Sequence, residues 1–195
     1  PLLLIVSLLL CFLFVFLHLQ ANVTGQWERT ISLYRSIVTL VIEARSWLPD
    51  AIGGTLWFAP HAAHTSTYAP FPCGLDVLPT SYTNSSGWDK IDRSGTAAWA
   101  NRYVFNMAQL RFDHAIVDIT HARELLDNSS FALQATADKV YKHPSDMSAI
   151  GRDYRANADN IVTTWWSLAD ELVVKYADGG THLGYPAWWL MSHDV

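Results

Sequence analysis

The sequence predicts an α+β fold in which a small sheet comes first and the helices follow as a block, and three observations carry that expectation. Residues Ile31 to Ala44 mix apolar and β-branched side chains with few helix-favouring charges, the pattern of a core strand buried on most of its surface. Pro49-Asp50 and Gly53-Gly54 supply turn chemistry ahead of a second apolar run, Thr55-Leu-Trp-Phe58. From Thr96 onward the apolar residues recur at three- and four-residue spacing, which is the period of a helix.

Taken in order, Leu2 to Leu17 is apolar throughout except for Ser7. A membrane span takes roughly 17–25 such residues and a signal-peptide core about 7–15, so this run stands at the border between them. It predicts an N-terminal apolar helix, residues 1–20, that contacts a membrane or a translocon; a helix buried in the protein is the alternative. Asn22, Asn84 and Asn128 each open an Asn-x-Ser/Thr triplet and are candidate glycosylation sites. With the leader, they predict a membrane-bound protein or one in the secretory or lysosomal lumen. The chain begins with Pro1 rather than Met, which predicts a fragment or a processed product.

The body is expected over residues 27–180. After the strand pair, Tyr68 to Phe71 is a third extended piece, and Pro60, Pro70 and Pro72 place that piece at an edge or in a loop because proline donates nothing to a ladder. Cys73 to Ser94 is rich in turn formers and reads as a long surface loop anchored by Tyr82 and Trp88. A first helix is expected from about Gly95 to Asp127, with Trp99, Tyr103, Met107, Leu110, His114 and Val117 on one stripe. Asp127-Asn-Ser predicts a break, followed by a second helix from Phe131 to Lys142. Pro144 stops it, because the residue before proline avoids the α region. Ser145 is the expected cap of a third helix, with Asp146 in its first turn and Lys175 in its last. Ile161, Trp165, Leu168, Leu172 and Tyr176 form one stripe of that helix, with Val162, Trp166, Ala169 and Val173 beside it. Residues 181–195 form an aromatic tail.

A chain of 195 residues suits one ordinary domain, and a net charge of −5 with no basic run gives nucleic-acid binding no electrostatic support. Nine Trp, eight Tyr and eight Phe supply rings for a core or for a peptide cleft. Cys11 and Cys73 are too few for a disulfide framework. His61 and His64 have metal-pair spacing but no third ligand at a telling distance, and His114 and His121 lack an HExxH pattern, so no metal is assigned. There is also no Gly-x-Ser-x-Gly elbow for a serine mechanism.

The ordered series Arg45-Ser-Trp-Leu-Pro49, Gly53-Gly54, Trp57-Phe58 and Tyr68-Ala-Pro-Phe71 carries a resemblance, and Pro79, Ser81-Tyr82, Trp99, Asn106 and Lys175-Tyr-Ala-Asp-Gly179 continue it. It resembles the later part of the Cys-dependent dipeptidases of the dipeptidase A and secernin type, which are N-terminal-nucleophile (Ntn) hydrolases. The resemblance implies part of an αββα sandwich, a small peptide as substrate, and no cofactor. It also implies a cysteine at the mature amino end whose thiolate attacks the amide carbonyl while its own α-amine takes the proton.

Neither cysteine here fits that role. Cys11 lies inside the apolar leader, and Cys73, in Phe-Pro-Cys-Gly, reads as a small apolar residue. The family's nucleophile strand is therefore expected upstream of the given chain, and no catalytic residue is assigned within it. For substrate contact the candidates are Arg35 and Arg45, because guanidinium binds a peptide carboxylate in a bidentate pair. Arg35 within an apolar strand would need an acidic partner, for which Glu43 is nearest; a buried ion pair with no catalytic duty is the structural alternative.

The resulting expectation is the carboxy-terminal part of a cysteine dipeptidase, inactive as this fragment. The alternative is a membrane-tethered, non-catalytic relative that keeps the helices as an interaction module. Half a sandwich would leave a sheet face uncovered and in need of a partner.

Overall fold

The structure is a computed structural model that describes residues 31–83, 91–93, 95–177 and 191. The chain divides between Ile31 and Ser32, and the fold below is that of the unit beginning at Ser32. The apolar leader, Asn22, Asn84, Trp88, Gly179-Gly180 and all of the aromatic tail except Met191 lie outside the described residues. Among the described residues no helix is long and apolar enough to cross a membrane.

The fold is mixed α+β, a three-stranded antiparallel sheet followed by helices. Strand β1 (Val38–Ala44) leads to a one-turn helix α1 (Asp50–Gly53), then β2 (Gly54–Pro60) and β3 (Ala69–Pro72). The strand order is β1-β2-β3, with Val41 opposite Trp57 and Trp57 opposite Pro70. Gly53 is required where it stands: a Cβ there would come within 2.9 Å of the Arg45 carbonyl oxygen and 3.1 Å of that of Leu48.

A further one-turn helix, α2 (Thr80–Thr83), precedes the block of α3 (Ala97–Ala108), α4 (Phe112–Val140) and α5 (Met147–Tyr176), with a 3₁₀ turn, Pro144–Asp146, before α5. The α5 stripe packs as expected: Ile161, Trp165, Leu168, Leu172 and Tyr176 are all buried, in one core with Val104, Ile119 and Phe71. Tyr82 anchors the loop after β3, its ring 5.1 Å from Phe71 and 6.2 Å from Phe58, while the Ser81 hydroxyl donates to Asp159 at 2.8 Å. The edge position expected of the third strand also holds. Cys73 N–H donates to the Gly54 carbonyl, which fixes the hydrogen-bonding phase of the β2–β3 ladder and turns the nitrogens of Pro70 and Pro72 away from it.

Several expectations are corrected. The strand expected from Ile31 starts at Val38, and it is not buried: Val38, Leu40, Val41, Ile42 and Ala44 are exposed. A mix of apolar and β-branched residues is shared by a covered strand and an open one, and among the described residues β1 has a neighbour on one side only. The first helix is two, because the chain turns at Gln109–Arg111 where Arg111 leaves helical geometry. Its core face consists of Ala97, Ala100, Asn101, Val104, Ala108, Ala115 and Ile119, and the larger stripe from Trp99 to Val117 lies at the flanks or outside.

Asp127-Asn-Ser breaks nothing. Asn128 and Ser129 face solvent within α4, and the buried Ser130 hydroxyl accepts from Asn157 at 3.0 Å, so its oxygen is held by a neighbour instead of competing for the backbone. Ser145 does not cap α5; it lies within the 3₁₀ turn, where the Asp146 carboxylate accepts the Lys142 and His143 backbone N–H groups at 2.8 Å each. Those bonds, His143 first, hold the Asp146 carboxyl below its ordinary value.

Candidate functional site

The sheet positions two polar clusters among the described residues. The first sits where β1 meets α4. The Arg45 guanidinium, a tenth exposed, donates to Asp138 at 2.5 Å and to the Ile52 carbonyl at 2.7 Å, with its Nε 3.5 Å from Glu43. Glu43 in turn accepts from Gln134 at 2.7 Å and from the Trp57 indole at 3.0 Å. Burial pushes the Glu43 carboxyl up, yet the bonds from Gln134 and Trp57 with the charge of Arg45 outweigh it and hold it below the usual value.

Arg45 is thus engaged by three elements of its own chain. Arg35 is elsewhere: it lies in an exposed turn before β1, its guanidinium 5.1 Å over the Tyr34 ring, and the partner expected for it, Glu43, belongs to Arg45. The two candidate arginines are not brought together.

The second cluster is the connection between β2 and β3, His61 to Thr67. A connection normally runs in solvent because its backbone polar groups need water. This one is enclosed, with His61, Ala62, Thr65, Ser66 and Thr67 all buried. It is held by its neighbours: His61 N–H donates to the Ile37 carbonyl at 2.9 Å, Thr39 Oγ1 to the His61 carbonyl at 3.0 Å, and Thr67 N–H to Asn101 at 3.2 Å. Ser66 Oγ reaches back to the Pro60 carbonyl at 3.3 Å, and Arg123 of α4 lies 3.4 Å from the Ala63 carbonyl and 3.5 Å from that of His64.

Three features set this loop apart. His61 has φ = +104°, the one described non-glycine residue with positive φ, and such backbone costs of order 1–3 kcal/mol unless its surroundings impose it. His61 Nδ1, Thr65 Oγ1 and Thr67 Oγ1 are buried yet have no hydrogen-bond partner among the described residues. Each such atom forgoes roughly 1–3 kcal/mol relative to a satisfied one. Finally, Ser32 and His64 pair closely: Ser32 Oγ lies 2.6 Å from His64 Nδ1 and accepts the His64 backbone N–H at 3.1 Å.

The rings are poised neutral. The His61 ring packs 4.8 Å from Phe105, and burial, aided by the charge of Arg102 and by His64, depresses it from its ordinary 6.5 to about 4. Burial, then Arg123, lowers His64 as well, and its ring meets Phe105 and Phe112 edge to face. In a neutral His64 the Ser32 contact at Nδ1 is a hydrogen bond whose direction follows the ring tautomer.

Both depressed histidines favour protonation of the unfolded chain. The stability they contribute is complete above about pH 6.5 and is lost as pH falls towards 4, by about 3 kcal/mol from His61 alone. Urea midpoints measured between pH 7 and pH 4 should fall in the wild type, and His61→Asn, which tolerates positive φ without a titrating ring, should flatten that slope.

Sequence reasoning weighed His61 and His64 as a metal pair and passed over Ser32, Thr65, Thr67 and Arg123. The available signal was composition: His-Ala-Ala-His-Thr-Ser-Thr joins two strands without one charge, glycine or proline, an odd makeup for a solvent-facing turn. The other histidines are dispersed. His114 stacks on Tyr176 at 6.5 Å and His121 is exposed, while Asp118 accepts Lys175 at 2.9 Å and Tyr176 at 2.6 Å, tying α4 to α5. Cys73 is exposed in the turn after β3. Asn128 is exposed on α4, two residues before the buried Ser130.

With this geometry established, the sequence model of Peptidase family C69 matches residues 18–124, more than half of the chain and the whole of the sheet and the enclosed loop. No curated protein matches the chain.

Proposed function

The chain belongs to Peptidase family C69, and from that premise we propose that it forms the peptide-reading part of a cysteine-type dipeptidase built on an Ntn sandwich. The observation that carries this reading is the enclosed loop at His61 to Thr67, inside the matched region, where the strained His61 and two threonines carry three buried polar atoms with no partner among the described residues. Strain and unmet hydrogen bonds concentrate where a protein meets its ligand.

The loop offers what a dipeptide needs. Two threonine hydroxyls and a neutral imidazole can each donate or accept, which matches the mixed donors and acceptors of a peptide unit. Burial is the main cause of the depression of both histidines; Arg102 beside His61 and Arg123 beside His64 add to it, and a free peptide carboxylate complements those two charges. The attacking thiolate is a separate requirement. Neither Cys73, exposed in its turn, nor Cys11, within the apolar run, has the free α-amine that would serve as its base. Hydrolysis therefore takes a cysteine other than these two, and the 195-residue chain alone reads peptide without cleaving it.

Titrating alanyl-alanine into the chain while following the histidine ring protons by NMR tests this reading. The expected result is saturable movement of the His61 and His64 signals, with His143, at the cap before α5, unmoved. Signals that stay put, or that all drift together, would rule out the loop as the reader.

A further inference from the structure

The enclosed loop has one less covered side, and two charges of α4 stand beside it. His61, Ala62, Thr65, Ser66 and Thr67 are buried, whereas Ala63, His64 and the following Tyr68 are half-buried. Arg123 lies on that side and reaches the Ala63 and His64 carbonyls through Nη1, at 3.4 and 3.5 Å. Those bonds are long for a guanidinium, whose strong contacts are bidentate and about 2.7–2.9 Å in length.

Asp127 follows one helical turn later, half-buried like Arg123 and next to the buried Leu126. Opposite charges four residues apart on a helix are within reach of each other. These two do not pair: Arg123 turns to the loop, and the Asp127 carboxylate takes no hydrogen bond or ion pair among the described residues. Both nevertheless face one group. Burial raises the Tyr68 phenol, and Arg123 and Asp127 act on it in opposite directions, so the two charges flank a single ring. Burial raises the Asp127 carboxyl as well, Arg123 offsets only part of that and Glu124 adds to it, so a cation brought to Asp127 would be welcome there.

A cation and an anion held apart complement a zwitterion. Residues four apart are about 6 Å from each other along a helix axis, and two extended residues span roughly 7 Å, so the charged ends of one dipeptide fit the spacing. We propose that Arg123 and Asp127 set the specificity of the reading loop, Arg123 holding the free carboxylate of a dipeptide and Asp127 its free ammonium, with the peptide unit lying between them over His64 and Tyr68. This rests on the peptide-reading role of the loop and adds what is read: an unblocked dipeptide, measured by both of its charges. A capped dipeptide loses one contact, and a tripeptide, roughly 3.5 Å longer, overshoots the pair.

The test is to titrate alanyl-alanine, its amide, its N-acetyl form and trialanine separately into the 195-residue chain at pH 7 while following the His64 ring protons by NMR. Alanyl-alanine should bind about tenfold more tightly than each of the others. Arg123→Gln should take alanyl-alanine and its amide alike yet still reject the acetyl form, and Asp127→Asn should take alanyl-alanine and the acetyl form alike yet still reject the amide. Equal affinities of the wild type for capped and uncapped peptides, or discrimination that both substitutions leave intact, overturn the inference and leave the loop as a reader of peptides. His64 signals that ignore all four ligands remove the loop reading itself, and this inference with it. The wild-type comparison decides the matter even if a variant does not fold.

Discussion

Replacing Arg45 by alanine should destabilise the protein by about 3 kcal/mol, measured as a lower urea midpoint with an unchanged slope. The size follows from what the substitution strands. The guanidinium neutralises Asp138 and Glu43, a quarter and a third exposed, and donates to the Ile52 carbonyl, so one truncation leaves two carboxylates and an acceptor without their cation. Fully enclosed pairs lose 3–5 kcal/mol when one partner is removed, and the partial hydration of the carboxylates places this case at the low end. Removing Asp138 as well should cost less than the sum of the single losses, because the pair is counted once.

The pH dependence separates this account from simple loss of packing. In the wild type Glu43 titrates below its ordinary 4.5, so its stabilising contribution is present above that pH and disappears as acid protonates the folded carboxylate. Without Arg45 that contribution is smaller to begin with. The gap between variant and wild type should therefore narrow below about pH 4. A gap that stays constant from pH 7 to pH 3 would mean that Arg45 acts through its methylenes alone.

Arg45 also shows how far the sequence could be read. The need for a partner was legible for an arginine near the apolar strand but was placed on Arg35, which is exposed; the ion pairs belong to Arg45, and one of its acceptors, Asp138, lies 93 positions away on α4. The positions governed by local chemistry were legible. Pro70 and Pro72 restrict their segment to an edge or a loop, and the α5 stripe of Ile161, Trp165, Leu168, Leu172 and Tyr176 is large and regular.

The α3 and α4 faces were not legible in the same way. Ala97, Ala100, Ala108, Ala115 and Ala137 are prominent among their buried residues; alanine lets helices approach closely but carries little hydrophobic signal, so the eye follows Trp99 and Met107 instead. The continuity of α4 through Asn128 and Ser129 is set by packing at Leu126, Ser130 and Gln134, which overrides weak local preference. For the enclosed loop, neither the positive φ of His61 nor the lack of partners at Thr65 and Thr67 exists before Ile37, Thr39, Asn101 and Arg123 come together around it.

The chemistry of family C69 makes the location of the thiol the central question. If the chain supplies the reading loop and not the nucleophile, it should show no turnover however well it binds. Cys73 has no α-amine to take its proton, and its turn after β3 is separate from the His61 loop that precedes β3. The direct measurement is release of free amino acid from alanyl-alanine by the purified chain, followed against a buffer blank and against the Cys73→Ser variant. The account predicts rates equal in all three; turnover by the wild type that Cys73→Ser abolishes would contradict it and make Cys73 the nucleophile.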